Sequence, residues 1–314
     1  MRWTKRVSMG AALLALLVAG VSATAAQAAE PAVQTVALWP AGQWPAVVQG
    51  PEQSRSHGGK PDVVTGVAQA RLEIYRPRHP NGTAVLGFGG GYARIEVGAE
   101  ARPAAQWLQS QGITAAAVYY RLPEDGWAPV APFQDGQRAM RVLRARAGEL
   151  GVDPERIGVM GFSAAGNLAG IVGTRSAAHF YDPVDAADRL SARPDFMALL
   201  YPVVSMERAL GHTHAQKELS REPGYVQAYS VEQHVHRGAP PMFLAQAKDD
   251  PIASVENSKV LDQAARAAGV PVELHLFQSG GHGWGLGAPG SEVSQWPGLF
   301  DHWVRQNGLL GAER

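Results

Sequence analysis

The sequence has no cysteine among its 314 residues. The protein therefore has no disulfide, no thiol nucleophile and no thiolate metal site. An excess of charge of one sign is absent too, since 28 basic residues balance 28 acidic ones. Such a balance gives no indication of a nucleic-acid partner or of an anionic membrane surface as a partner.

Long apolar runs are also scarce, and the one that stands out lies near the N-terminus. Three basic residues precede the apolar run 11–21, and Ala26-Gln27-Ala28 follows it. A basic region, a short apolar region and a small-x-small site together predict a secretory signal cleaved after Ala28. The run is short for a membrane anchor. We therefore expect a leader at 1–28, a single domain at 29–314 and a periplasmic or secreted protein.

Apolar strands and amphipathic helices alternate along the rest of the chain, which predicts an α/β domain with a mostly parallel sheet covered on both faces. Residues 41–62 are rich in Gly, Pro, Ser and Gln and are predicted to form a surface loop. Residues 205–238 lack periodicity and are predicted to be an insertion or lid at the edge of the sheet. Strands are predicted at 33–39, 71–75, 83–88, 113–120, 157–160, 196–204, 242–247 and 272–277, and helices at 98–111, 133–150, from 164, at 254–268 and at 292–306.

The stretch 156–170 is typical of a nucleophile elbow. A short apolar strand leads into Gly161-Phe162-Ser163-Ala164-Ala165, and a helix starts at Ala164. A sharp strand-to-helix turn exposes a seryl oxygen at the sheet edge and directs the helix N-terminus at the reacting carbonyl. Ala165 stands where the usual Gly-x-Ser-x-Gly pattern has its second glycine. The alternative is that Ser163 caps an ordinary helix.

A seryl hydroxyl needs a base within hydrogen-bond reach and a third group that orients the base. His282 follows a predicted strand in the glycine-rich run Gly280-Gly281-His282-Gly283, which makes it the candidate base. The acid is expected in the loop after the preceding strand, where Asp249 and Asp250 both stand. We favour Asp250 because an Asp-Pro-aliphatic run leads from it to a helix start, and Asp249 remains the alternative.

Negative charge on a carbonyl oxygen also requires fixed donors. The run 89–91 is three consecutive glycines after a strand, so Gly90 and Gly91 offer backbone N–H groups without side chains in the way, and Ala164 adds another. A phosphate loop is the competing interpretation. No Gly-Lys-Ser/Thr follows the run, and no Gly-x-Gly-x-x-Gly opens a helix.

Two other sets of residues attract attention. Two histidine pairs, His212 with His214 and His234 with His236, have the spacing of a metal-binding face of a strand. They stand in an aperiodic segment without further ligands, so no metal site and no cofactor is predicted. Five tryptophans next to turns are equally compatible with sugar stacking and with loop anchoring; they are Trp39, Trp44, Trp127, Trp284 and Trp296.

The order Ser163, Asp250, His282, each after a strand, is the order found in α/β-hydrolases. Over residues 70–305 the sequence resembles bacterial α/β-hydrolases of the acetyl-xylan-esterase and feruloyl-esterase type, which are related to hormone-sensitive-lipase-like esterases. The motifs that carry the resemblance are Phe88-Gly89-Gly90-Gly91-Tyr92, Tyr119-Tyr120-Arg121-Leu122-Pro123, Val152-Asp153-Pro154-Glu155-Arg156-Ile157, Gly161-Phe162-Ser163-Ala164-Ala165-Gly166, Asp249-Asp250-Pro251 with Val255-Glu256-Asn257-Ser258, and Gly281-His282-Gly283. Phe88 and Ala165 depart from the family's pattern.

The resemblance implies an α/β-hydrolase with Ser163 as nucleophile, His282 as base and Asp250 as acid. It also implies Gly90, Gly91 and Ala164 as oxyanion donors. The expected activity is that of a serine esterase on a small ester or an esterified carbohydrate, with acetyl or feruloyl groups. Two alternatives stay open: a serine peptidase of the prolyl-oligopeptidase type, and a catalytically silent binding protein with the same fold.

Overall fold

The computed structural model describes Met1 and residues 33–44, 48, 50–57, 60–210 and 213–311. The predicted leader, 1–28, lies outside the described residues apart from Met1. From residue 33 onward the described residues belong to one compact unit. Within these ranges no helix has the length and apolarity needed to cross a bilayer.

Eleven strands form one large and one small sheet in the described ranges. Their bounds are β1 Gln34–Ala37, β2 Gln53–His57, β3 Lys60–Thr65, β4 Arg71–Tyr75, β5 Ala84–Phe88, β6 Ile95–Glu96, β7 Thr114–Tyr119, β8 Ile157–Phe162, β9 Met197–Leu200, β10 Met242–Ala247 and β11 Val272–Phe277. The large sheet has the order β1-β4-β7-β5-β8-β9-β10-β11. Neighbours from β7 to β11 are parallel, and β1 and β4 join antiparallel at one edge.

The predicted mostly parallel sheet is therefore confirmed, and its cause is visible in the strands. Every residue of β5, β7, β8, β9 and β10 is buried, because helices cover both faces of the sheet. The carboxyl ends of parallel strands meet at one edge, and β8 lies near the middle of that edge. Side chains in the loops after these strands are consequently brought together there.

Helices pack on the two faces in two apolar clusters. Side chains of α2, α4 and α7 contribute to one cluster, and side chains of α1 and α8 contribute to the other. The bounds are α1 Arg102–Ser110, α2 Ala131–Ala145, α3 Ala147–Leu150, α4 Ala164–Thr174, α5 His214–Leu219, α6 Tyr225–Tyr229, α7 Glu256–Ala267 and α8 Trp296–Gln306. A π-helical turn, Val97–Ala101, leads directly into α1.

The prediction of a surface loop at 41–62 is wrong for its second half. Strands β2 and β3 pair antiparallel, and β3 also pairs with β6. The sequence of β2, Gln-Ser-Arg-Ser-His, has no apolar alternation, because its residues up to 56 are exposed. Pairing with β3, whose Val63 and Val64 are buried, makes this polar segment a strand.

Other boundaries differ for local reasons. The strand predicted at 196–204 ends at Leu200 because Tyr201 has a φ of +38° and Pro202 follows. The helix predicted at 133–150 is divided at Arg146, two residues before Gly148. The segment 205–238 contains α5 and α6, which are too short to produce a periodic pattern.

Candidate active site

Ser163 occupies a strained turn between β8 and α4. Its backbone angles are φ +57° and ψ −128°, outside the regions that most residues adopt. Gly161 makes the turn possible, because a Cβ there would lie 2.4 Å from the carbonyl oxygen of Ala165. The elbow predicted from the sequence is thus present in the backbone geometry, and its seryl side chain borders a pocket at the sheet edge.

Ala165 takes the place of the second glycine of the elbow pattern without a clash. Its side chain is fully buried in the apolar cluster, and its N–H donates to Gly90 O at 2.7 Å. The position that requires glycine is the next one, since a Cβ on Gly166 would lie 2.7 Å from Pro202 Cβ. The close approach of α4 to the end of β9 therefore depends on Gly166.

Ser163, His282 and Asp250 form a continuous hydrogen-bonded chain. Ser163 Oγ lies 2.7 Å from His282 Nε2, and His282 Nδ1 lies 2.7 Å from Asp250 Oδ2. An ionised carboxylate only accepts hydrogen bonds, so it assigns the ring proton to Nδ1. The lone pair of Nε2 then faces the seryl hydroxyl, which is the arrangement a general base requires.

The structure separates the two aspartates that the sequence left as alternatives. Asp250 Oδ1 accepts the N–H groups of Ile252 and Ala253, and this turns Oδ2 toward the imidazole. Asp249 Oδ1 instead accepts the N–H of Gly281 at 2.8 Å. Asp250 thus contacts the histidine side chain, and Asp249 holds the backbone of the loop that carries it.

Gln246 is a site residue that the sequence analysis missed. Its Nε2 donates to Asp250 Oδ2 at 3.0 Å and to Ala253 O at 2.8 Å, while its Oε1 accepts from Ser258 Oγ. The available signal was one polar residue inside the apolar strand β10. A buried amide in such a strand needs polar partners, and here it fixes the aspartate.

Gly90, Gly91 and Ala164 line the same pocket as Ser163. A Cβ on Gly91 would lie only 2.1 Å from Ala164 Cβ, so glycine is needed there. The N–H of Gly90 donates to Glu100 Oε2 at 2.6 Å, and that of Gly91 donates to Arg94 O at 3.0 Å. Ala164 is the first residue of α4, so its N–H has no acceptor within the helix.

The pocket beside Ser163 has a volume of about 420 Å³. Arg94, Glu96 and Glu100 lie in its wall, and Arg94 Nε donates to Glu96 Oε1 at 2.9 Å. Thr213 and His214, from the segment predicted to be an insertion or lid, form part of the wall. This volume falls within the range of pockets that hold small-molecule ligands.

The five tryptophans lie outside the walls of this pocket in the part of the chain that the structure describes. Three of them surround the guanidinium of Arg121, which lies 4.4 to 5.4 Å from their ring centroids. The other two lie at or near the loop that carries His282, and their ring centroids are 6.5 Å apart. The first group is Trp39, Trp44 and Trp127, and the second is Trp284 and Trp296. These contacts indicate that the rings anchor loops, while Trp39, Trp44 and Trp127 also line a separate cavity of about 270 Å³.

Among the described residues, no group of three or more His, Cys, Asp or Glu side chains is arranged to hold a metal ion. His214 lines the pocket, and His212 is outside the described residues. His234 Nε2 lies 3.1 Å from Ala228 O, and His236 Nδ1 accepts the N–H of Gly238. Burial, with the charge of Arg175 as a second cause, lowers the pKa of His234.

Comparison with curated proteins gives relatives that are longer than this chain. An acetylxylan esterase of Xylanibacter ruminicola is 32% identical over 228 residues, which are 70% of this chain and 44% of that protein. The endo-1,4-beta-xylanase B of Butyrivibrio fibrisolvens is 32% identical over 206 residues, which are 62% of this chain and 31% of that protein. The chain spans less than half the length of these curated relatives.

Solved structures with the same fold include two bacterial hydrolases. The acetyl ester-xyloside bifunctional hydrolase of Caldicellulosiruptor lactoaceticus has a TM-score of 0.68 and 34% identity, covering 77% of this chain and 90% of that one. The propionate-bound thermophilic esterase of Thermogutta terrifontis has a TM-score of 0.65 and 24% identity, covering 86% of this chain and 98% of that one. The BD-FAE family model matches residues 72–265, more than half of the chain. This chain therefore belongs to the BD-FAE family, a group of hormone-sensitive-lipase-like α/β-hydrolases.

Proposed function

We propose that the protein is a serine carboxylic-ester hydrolase that removes short acyl groups, acetyl above all, from esterified carbohydrate. The observation that carries the proposal is the chain of 2.7 Å contacts from Ser163 Oγ through His282 to Asp250 at the edge of a pocket. Family membership supports the same class of chemistry. The mechanism requires no cofactor.

In the acylation step Ser163 Oγ attacks the ester carbonyl carbon, and its proton moves to His282 Nε2. The resulting imidazolium is stabilised by the carboxylate of Asp250, whose side chain is fully buried. Collapse of the tetrahedral intermediate breaks the bond to the alcohol oxygen. His282 gives its proton to that oxygen, so that the alcohol leaves and an acyl-serine remains.

Deacylation reverses the sequence with water as the nucleophile. His282 Nε2 takes one proton from water as the water oxygen attacks the acyl carbon. The second tetrahedral intermediate then collapses, the bond to Ser163 Oγ breaks, and the imidazolium returns its proton to that oxygen. The acid is released and the serine is restored.

Ala164 is the proposed principal oxyanion donor, because its N–H lies at the start of α4 and has no acceptor within the helix. Gly90 and Gly91 form the adjoining wall of the pocket. The Gly90 N–H is bonded to Glu100 and the Gly91 N–H to Arg94 O, so either group can donate to the oxyanion only after it leaves that acceptor. One such donor is worth about 3 kcal/mol in transition-state stabilisation.

The substrate class rests on the pocket and on the relatives. The pocket wall offers no unpaired cation to an anionic substrate among the described residues, because Arg94 is paired with Glu96, and this favours a neutral acyl group and a neutral alcohol. Two of the similar proteins are an acetylxylan esterase and an acetyl ester-xyloside hydrolase. With cleavage after Ala28, the mature protein, 29–314, would be a single domain that meets polysaccharide in the periplasm or outside the cell. A feruloyl group is the larger acyl group to test beside acetyl.

The decisive experiment compares the wild type with Ser163→Ala on p-nitrophenyl acetate, acetylated and feruloylated xylo-oligosaccharides, and a prolyl peptide anilide. Ser110→Ala is the matched control, because Ser110 is an exposed serine at the end of α1 whose Oγ bonds only locally, to Trp107 O and Gln111 Nε2. We expect loss of ester hydrolysis of at least about 10⁴-fold in Ser163→Ala and none in Ser110→Ala.

Each alternative has its own signature in that experiment. Cleavage of the anilide in preference to every ester would identify a peptidase. Equal rates for the wild type and Ser163→Ala would mean that Ser163 is structural, and a binding protein would then be the better explanation. A preference for the feruloylated oligosaccharide would keep the mechanism and change the acyl group.

A further inference from the structure

A buried polar chain runs behind the pocket and joins two loops that are distant in sequence. Glu100 is 2% exposed, and its Oε2 accepts the N–H of Gly90 at 2.6 Å. Its Oε1 accepts the hydroxyl of Tyr201 at 3.0 Å. The same hydroxyl oxygen accepts the N–H of Gly285 at 3.1 Å. The turn of glycines and the loop that carries His282 are therefore linked through two side chains.

Tyr201 also contacts the proposed base directly. Its ring centroid lies 5.0 Å from that of His282 at an interplanar angle of 70°, and 4.3 Å from that of Trp284. Burial, and to a smaller extent the charge of Glu100, raises the pKa of Tyr201 well above its ordinary value. The hydroxyl consequently keeps its proton and remains a donor to the carboxylate.

Backbone packing holds the carboxylate and the histidine loop against each other. Glu100 belongs to the π-helical turn Val97–Ala101, a type of turn that is frequent at functional sites. Gly285 has a φ of +52°, and a Cβ there would lie 2.3 Å from Ala99 O in that turn. Trp296 Nε1 also donates to Gly285 O, at 2.9 Å. Neither loop can shift without disturbing the other.

We propose that Glu100 and Tyr201 are positioning residues that fix the glycine turn 89–91 and the loop carrying His282 relative to each other around Ser163. The proposal rests on the proposed function. Neither residue bonds to the reacting atoms in this role; they act through Gly90 and Gly285. A hydrogen bond to a carboxylate is about twice as strong as a neutral one, so the chain suits this purpose. A misplacement of about 1 Å in an active site costs about 100-fold in rate.

The test uses Tyr201→Phe, Glu100→Gln and the double variant with p-nitrophenyl acetate. Tyr201→Phe removes one oxygen and keeps the ring beside His282. Tyr181→Phe is the matched control, because it removes a buried hydroxyl that bonds to Asp188 and Arg141 away from the pocket. We expect each site variant to lower kcat about 10-fold or more with KM changed less than about twofold, and the control to change neither.

The double variant tests whether the two residues act as one unit. Because either substitution breaks the same chain, we expect the double variant to be within about threefold of the slower single variant. Two independent structural effects would instead multiply. Glu100→Ala, which leaves no acceptor for Gly90 or Tyr201, should be slower than Glu100→Gln, whose single amide oxygen can accept from only one of these two donors.

Hydrogen exchange measured by NMR gives a readout that does not depend on catalysis. Tyr201→Phe should accelerate exchange at the Gly90 amide, although Tyr201 does not contact that amide. Unchanged Gly90 exchange together with kcat values within twofold of the wild type would overturn the proposal. A wild type without esterase activity would overturn the proposed function instead, and the exchange experiment would still decide whether the chain couples the two loops.

Discussion

Asp250→Asn tests the geometry of the proposed site because the replacement has nearly the same shape. Both carboxylate oxygens of Asp250 accept hydrogen bonds: Oδ1 from Ile252 N–H and Ala253 N–H, and Oδ2 from His282 and Gln246. An asparagine has only one acceptor oxygen. If its oxygen stays with the two backbone donors, its NH₂ group faces the Nδ1 of His282.

The consequence is a change of tautomer in the base. An imidazole that accepts a hydrogen bond at Nδ1 carries its proton on Nε2, which lies 2.7 Å from Ser163 Oγ and then cannot take the seryl proton. We expect kcat to fall about 10⁴-fold, which corresponds to about 5 kcal/mol at the transition state, as for the analogous change in a serine protease triad. The NH₂ group also opposes the Nε2–H of Gln246, so some loss of thermal stability should accompany the kinetic effect.

The assay is kcat and KM for p-nitrophenyl acetate with purified, folded variants, with Asp249→Asn as the matched control. The bond from Gly281 N–H to Asp249 survives in that control, because an amide oxygen also accepts it. We expect Asp249→Asn to remain within about fivefold of the wild type. A larger loss in Asp249→Asn than in Asp250→Asn would refute the assignment and make Asp249 the acid.

Three further outcomes follow from packing and titration. Gly91→Ala places a Cβ 2.1 Å from Ala164 Cβ. We expect this overpacking to lower the free energy of unfolding, measured in urea, by about 1–3 kcal/mol. It should also displace the proposed oxyanion donor Ala164, so kcat should fall as well. Asn167→Ala removes the acceptor of the Tyr92 hydroxyl and two hydrogen bonds to backbone carbonyls. We expect the free energy of unfolding to fall by about 3 kcal/mol in the same experiment. A loss below about 1 kcal/mol would contradict this expectation. His234 has a pKa lowered from 6.5 by burial, so the unfolded chain binds its proton first and stability falls as the pH drops below about 6.5. His234→Gln should remove this contribution, so Tm should fall less in the variant than in the wild type between pH 7.5 and 5.5. Identical slopes of Tm against pH in the two proteins would refute the role of His234.

Local chemistry explains why the fold class was predictable and why candidates for the site residues could be named from the sequence. The strands of the parallel sheet are continuous apolar runs, because both of their faces are covered, and such runs are visible without tertiary information. Ser163 and His282 lie in loops of small residues directly after strands, and parallel strands bring such loops to one edge. The structure accordingly places both side chains within hydrogen-bond distance.

Residues whose role depends on distant partners were not predictable in this way. Glu100 looks like an ordinary acidic residue before a helix, and only the fold places it against Gly90 and Tyr201. Gln246 is one polar residue in an apolar strand until Asp250 and Ser258 are seen beside it. The polar strand β2 has no apolar pattern of its own and forms because β3 pairs with it.

The sequence by itself determined the alternation of strands and helices, the elbow at Ser163 and the position of candidate base and acid in loops after strands. These features depend on backbone sterics and on apolar periodicity, which are properties of short segments. Tertiary structure alone decided that Asp250 rather than Asp249 faces His282, and that the N–H of Gly90 is bonded to Glu100. The physical reason is that a hydrogen bond requires its partners within about 3 Å, and that distance between residues far apart in sequence is set only when the sheet and its loops are assembled.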